Sequence, residues 1–125
     1  MNNLILIFIG AGLGGVFRYL VSNTIHSFLS RDFPYGTLIV NVTGCFLMGI
    51  LFTVILERFN GIAIPLRSFL LIGFLGGYTT FSSFSIETLN LFENGAVLSA
   101  ILNVLLSMTL CLIAVWLGVL GGRQL

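Results

Sequence analysis

Charge is the scarcest property of this chain. Of its 125 residues only 7% are charged, where a soluble domain carries about 25%. Lysine is absent; the five basic residues are all arginine, set against four acids and one histidine. So few polar side chains cannot cover a water-facing surface, which excludes a soluble enzyme. A net charge of +1 supplies no basic face for nucleic acid. The low apolar content that marks disorder is missing as well, since 58% of the residues are hydrophobic, far above what a disordered chain carries. Cysteine occurs twice, at Cys45 and Cys111, both within apolar runs. No disulfide framework is indicated, and the two thiols read as packing residues. What the chain has in quantity is apolar length, with a mean hydropathy of +1.14. It reads as a small integral membrane protein.

A membrane-crossing helix takes about 20 apolar residues. Four spans therefore consume nearly the whole chain, and the fold class expected is all-α, a single four-span domain over residues 1–125. The spans fall at about 4–25, 35–56, 66–92 and 96–120, the third interrupted at 76–80. The first apolar run has neither a basic flank nor a small-residue cleavage site, and reads as a retained helix rather than a leader. His26 to Pro34 forms a loop, with the lone His26 expected in solvent and Pro34 at the helix start that suits its missing N–H. Asn60, Gly61 and Pro65, and later Asn94-Gly95, mark the other turns. An even number of spans places both termini on one side, with Arg58, Arg67 and Arg123, opposite Arg31. Three arginines against one is a weak bias. It favours cytoplasmic termini and is small enough for insertion in both orientations.

Polar residues at depth are few and costly. Arg18, late in the first span, either anchors the helix by reaching for the interface or draws an anion into a wet vestibule. Gly10/Gly14, Gly73/Gly77 and Gly118/Gly122 are spaced for close helix packing. Ser99, Asn103, Ser107 and Cys111 recur every four residues and so form one stripe on the fourth span. Thr37 and Asn41 do the same on the second. Such stripes either glue helices together or line a path for a small ion. The third stretch is the most informative. Gly76-Gly77-Tyr78-Thr79-Thr80 opposes a continuous helix, and irregular backbone at membrane depth is tolerated only where protein or water surrounds it. Two half-helices result, the first offering carbonyls near Gly76 to a cation, the second offering N–H groups near Thr80 to an anion. Phe81 and Phe84 follow on one face, beside Ser82 and Ser83, with Glu87 four residues on from Ser83. A phenylalanine ring edge is weakly positive and can hold an anion loosely enough for it to leave.

The run Gly73-x-x-Gly76-Gly77-Tyr78-Thr79-Thr80-Phe81-Ser82-Ser83-Phe84-Ser85-x-Glu87 resembles the signature of the CrcB/Fluc fluoride channels. Gly36-Thr37-Leu38-x-Val40-Asn41-x-x-Gly44 and Gly12-x-x-Gly15-x-x-Arg18-Tyr19 are similar to that family's second-span and first-span motifs. The resemblance implies an antiparallel homodimer in the cell membrane, multi-pass, that passively exports fluoride. It implies a structural Na⁺ at the dimer interface, held by the backbone carbonyls of Gly76 and Thr79 of each copy. It implies two pores lined by Asn41, Phe81, Phe84, hydroxyls at Ser82 and Ser83, and fourth-span groups such as Ser107, with Glu87 near a pore end and Arg18 at an entrance. The partners implied are fluoride, a second copy and the lipid bilayer, with no nucleic acid. Independently of the resemblance, four helices fill their own interior, so conduction requires at least two copies.

Ser83 stands where the family usually has threonine, Leu110 and Cys111 where glycine and serine are expected, and Tyr78 where an aliphatic residue is common. Cysteine bonds more weakly than serine, and the Tyr78 hydroxyl requires a partner at depth. A small multidrug exporter is the nearest rival, but it needs an acid in the first span, which has Arg18 instead. A scaffold subunit would leave the broken third helix unexplained. A membrane enzyme would need convergent acids or histidines.

Overall fold

The computed structural model describes residues 2–125, and all of its regular structure is helical. Helix α1 runs over Asn2–Phe28 and α2 over Tyr35–Arg58. The third span is composite: α3, Ala63–Leu66, passes into a π-helical segment, Arg67–Leu75, then α4, Gly76–Tyr78, and after two extended residues α5, Phe81–Glu93. Helix α6 fills Val97–Gln124. Four helical stretches are long and apolar enough to cross a membrane, with mean hydropathies of 2.1, 2.3, 1.4 and 2.4. The chain is a multi-pass membrane protein.

Three differences from the sequence reading follow from the backbone. Gly76 and Gly77 stay helical, so the interruption is confined to Thr79 and Thr80. Glycine lowers helix propensity without forbidding a helix, and here both glycines lie in one that is packed against α1. The π-helical segment was not legible in the composition; its wider winding is seen where the Gly76 N–H reaches back to the Leu71 carbonyl as well as to Gly73. Finally, α1 continues through His26, which stands in its last turn rather than in a loop.

Two glycine seams set the helix arrangement. A Cβ added at Gly14 would strike the Phe74 carbonyl oxygen and lie 2.8 Å from the Tyr78 nitrogen, while Gly10 and Gly73 meet Cα-side on. The numbering rises together along α1 and the third span, so the two run parallel. A Cβ at Gly118 would strike the Phe46 carbonyl oxygen, and one at Gly122 would stand 3.0 Å from the Ile50 carbonyl oxygen. Helices α2 and α6 are thus parallel and in backbone contact too. All three glycine pairs singled out in the sequence sit at helix contacts, the use that small residues have in lipid. The turn between α5 and α6 closes with Gly95 at φ 82°; its N–H donates to the Phe92 carbonyl (3.1 Å) and that of Ala96 to Leu91 (2.8 Å). That pairing is a Schellman closure, and its left-handed position is the one glycine fills without strain.

The buried apolar cluster is small: Val40, Ile55, Leu71, Leu75 and Tyr78, where α2 meets the third span. Only 11% of the most apolar window of α1 and 17% of that of α6 is buried within the chain. The outward faces are therefore made for lipid or for another protein surface.

Candidate functional site

The polar groups at depth converge on the opening in the third span. Thr79 (φ −82°, ψ 159°) and Thr80 (φ −152°, ψ 124°) are extended. In a continuous helix the Thr80 N–H would donate to the Gly76 carbonyl. Here it donates instead to Asn41 Oδ1 at 2.8 Å, and Asn41 Nδ2 donates back to the Thr80 carbonyl at 2.9 Å. One side-chain amide from α2 thus satisfies both backbone groups of buried Thr80, which the low-dielectric surroundings would otherwise leave unpaired at a cost of several kcal/mol. Thr79 ends the first half by turning its N–H and hydroxyl back to the Leu75 carbonyl, at 3.0 and 2.9 Å. Thr80 begins the second: its Oγ1 accepts from the Ser83 N–H at 3.2 Å, an N-cap from the residue type that favours that place. The same hydroxyl lies 3.2 Å from Ser83 Oγ and 3.3 Å from Ser82 Oγ. Three hydroxyls and the unpaired N–H groups of the first turn of α5 therefore gather at one helix start, where the helix dipole favours negative charge.

The two phenylalanines are neighbours with different surroundings. Their ring centroids are 5.4 Å apart with planes tilted by 48°, yet Phe84 is 9% exposed and Phe81 71%. Phe84 belongs to the interior of the chain; Phe81 stands on its outer face. Gly76 is exposed and Thr79 half-buried, so the carbonyl end of the first half also lies at the surface of the chain.

Below this point two clefts meet. One, of about 420 Å³, is lined by Arg18, Thr37, Thr80, Ser83 and Glu87 among others. The other, of about 570 Å³, is lined by His26, Arg31, Asp32, Thr37, Glu87 and Asn94. Ser22, Thr37 and Glu87 belong to both. Together they form a polar vestibule from the α1–α2 and α5–α6 loops to the start of α5. Glu87 is half-buried in its wall and accepts a 2.6 Å bond from the Thr37 hydroxyl. Arg18 lines the inner cleft.

The stripe on α6 faces inward. Asn103 (2% exposed) donates to Thr88 Oγ1 at 2.9 Å, and Thr88 donates to the Phe84 carbonyl at 2.7 Å. Ser107, also buried, donates to Asn103 Oδ1 at 3.4 Å. Within the chain the stripe acts as glue between α5 and α6, so Ser107 is joined to Phe84 through Asn103 and Thr88. Cys45 and Cys111 are free and half-buried. The Tyr78 hydroxyl finds its partner in Thr43 Oγ1 at 2.9 Å.

Sequence reasoning did not select Thr88 or His26, and it placed Thr37 on a polar stripe and Thr80 at the start of the second half-helix without assigning their side chains a role. Thr80 is signalled by its spacing to Ser83, three residues on, the interval of a hydroxyl cap. His26 is signalled by Ser22 four residues before it, on the face that meets the start of α2. Thr88 carries no local signal, because its partner lies on another helix.

Residues 5–119 match the family described as CrcB-like protein, Camphor Resistance (CrcB). The chain belongs to the CrcB family. A CrcB relative from Coxiella burnetii is 63% identical over 123 residues, covering 98% of this chain and 99% of its own length. One from Methylococcus capsulatus is 52% identical over 98% of this chain, which spans 54% of that longer protein. One from Geobacter sulfurreducens is 46% identical across the full length of both. All three carry the name fluoride-specific ion channel FluC.

Proposed function

We propose that this chain is a fluoride channel, built from two copies packed antiparallel, that lets fluoride leave the cytoplasm down its gradient. The carrying observation is the opening at Thr79–Thr80, held in place by the Asn41 amide, in a chain whose close relatives are named for fluoride conduction. Fluoride is small and strongly hydrated, so a path must replace its water with hydrogen-bond donors and still release it. The start of α5 offers such donors in the Ser82 and Ser83 hydroxyls and the free N–H groups. Arg18 raises the local anion concentration in the inner cleft. The ring edges of Phe81 and Phe84 add weak, non-trapping contacts. Phe81 is too exposed in one protomer to wall a closed path alone; a second copy laid against this face supplies the missing side.

The Gly76 and Thr79 carbonyls suit a hard cation. They are neutral oxygens at the end of a half-helix, the Gly76 carbonyl having lost its Thr80 donor to Asn41, and unwound backbone of this kind coordinates Na⁺ in transporters. Two carbonyls per copy are too few for such an ion, whereas the same pair from a second copy completes a cage at the surface where Gly76 is exposed. When bound, Na⁺ neutralises the converging carbonyl dipoles and ties the two copies together.

The test is efflux from liposomes holding the purified protein, with a fluoride electrode, a chloride electrode and a potassium ionophore to cancel the membrane potential. Rapid fluoride loss with chloride retained is the expected result. Retention of both ions by folded, dimeric protein would overturn the reading.

A further inference from the structure

His26 is the chain's single histidine, and its ring does something that the conduction path does not explain. Helix α2 begins after Pro34, which caps it without any side-chain bond. Its early N–H groups therefore need acceptors from elsewhere. The Gly36 N–H finds one in His26 Nε2, across from α1, at 3.2 Å. The fit is close: a Cβ on Gly36 would strike Ser22 Oγ and stand 2.9 Å from both Cδ2 and Nε2 of the ring. The other ring nitrogen, Nδ1, is the one buried side-chain nitrogen or oxygen without a partner among the described residues. The next residue along α2, Thr37, holds the Glu87 carboxylate.

These contacts fix the proton on the ring. An N–H donating to Nε2 requires that nitrogen to be bare, so the neutral imidazole carries its hydrogen on Nδ1. We propose that His26 is a pH-sensitive positioning residue of the vestibule, capping α2 and holding Thr37 against Glu87 when neutral, and releasing both when protonated. Protonation puts a second donor on Nε2, facing the Gly36 donor, and a positive charge at a helix N-terminus, where the dipole opposes it. The ring then loses its only bond. The groups that line the outer cleft with it are Glu87 from α5 and Arg31 and Asp32 from the α1–α2 loop, with Arg18 of α1 in the adjoining one. An imidazolium released from Gly36 is drawn to Glu87 and Asp32 and away from the arginines. Pairing with Glu87 takes that carboxylate from Thr37, and the vestibule wall rearranges. Acidification thus slows the flux. Histidine is the side chain whose charge changes between about pH 5 and 8, a range over which fluoride itself remains ionised.

The functional half of this inference rests on the fluoride-channel reading, and its test separates the two. Fluoride efflux is measured with equal pH on both sides, stepped from about pH 8 to about pH 5, for wild type, His26→Gln and His26→Ala. Wild type is expected to slow roughly fivefold over the range, the factor that a lost helix cap of ordinary strength represents. Glutamine offers Gly36 an oxygen that does not titrate, so His26→Gln keeps most of the neutral-pH flux and loses the pH step. His26→Ala, which has no acceptor, is slow throughout. A wild-type profile without a step, or the same step in His26→Gln, would overturn the proposal. The second readout needs no flux: with one histidine in the chain, the ¹⁵N spectrum of labelled imidazole reports the tautomer directly. Hydrogen on Nδ1 at neutral pH is expected, and hydrogen on Nε2 would refute the cap whether or not fluoride passes. If wild type moves no fluoride at any pH, the channel reading falls, and the ¹⁵N spectrum still decides the cap.

Discussion

The side chain with the most to lose is Asn41. Its two bonds to Thr80 mean that Asn41→Ala orphans a donor and an acceptor at once. At about 1–3 kcal/mol for each buried orphan, the opening should collapse or shift. Thermal unfolding in detergent should show the loss, and liposome efflux should be abolished. Asn41→Asp is a sharper probe, because a carboxylate can still accept from the Thr80 N–H but turns an oxygen toward the Thr80 carbonyl; it should restore neither. The phenylalanines separate by burial. Phe81→Ile, at a 71% exposed position, should leave protomer stability within about 0.5 kcal/mol while suppressing fluoride flux. Phe84→Ile changes shape in a packed interior and should cost about 1–3 kcal/mol as well as flux. Equal flux in Phe81→Ile and wild type would remove the outer ring from the path. Asn41 itself was legible in the sequence as a polar residue on a helix face. Its service to a backbone far along the chain was not, because a one-dimensional pattern does not say which helix will supply the acceptor.

Helix contacts give the next prediction. Ala at Gly14 would push a methyl group into the Phe74 carbonyl oxygen, whereas Gly12 has nothing within 4 Å of the same addition. Gly14→Ala should therefore part α1 from the third span and destabilise by about 1–3 kcal/mol. Gly12→Ala should be neutral or gain up to about 1 kcal/mol from helix propensity. Circular dichroism melts of the two variants check both. Four spans, their turns at Pro34 and Gly95, and the pairing of small residues were all legible, since span length and glycine spacing are properties of the chain alone. The interruption was legible in place but not in width. Gly76 and Gly77 weaken a helix everywhere, while the threonines leave it only because Asn41 and the Ser83 N–H stand ready to receive them.

For the whole molecule the decisive quantity is surface. So little of α1 and α6 is buried, and Phe81 and Gly76 are so exposed, that a single copy leaves most of its apolar surface uncovered. In our reading a second, inverted copy covers part of it. A cysteine added at the N-terminus of a Cys45→Ala, Cys111→Ala chain should then be reached by a membrane-impermeant maleimide on about half of the copies, the outcome of an orientation bias as weak as three arginines against one. Labelling of all copies or of none would establish a single orientation and rule out the antiparallel pair. Neither stoichiometry nor orientation was legible from any one residue; both are properties of faces, and a face acquires meaning only once the fold has sorted inside from outside.

The wider winding of Arg67–Leu75 has a consequence for how this gene tolerates error. A segment that closes its turns over five residues instead of four holds extra chain for its length, much as a slack loop holds spare cord. Removing one residue there would let the segment tighten to ordinary winding. The tightened turn would take up the missing residue, so everything beyond would keep its facing, with Thr80 still opposite Asn41. Replacement of an outward residue there, such as Ile72 at 56% exposure, should leave the stability of the single chain within about 0.5 kcal/mol. A deletion scan should therefore find these nine residues more forgiving of a single loss than ordinary helix, except where Leu71, Gly73 and Leu75 are held by packing.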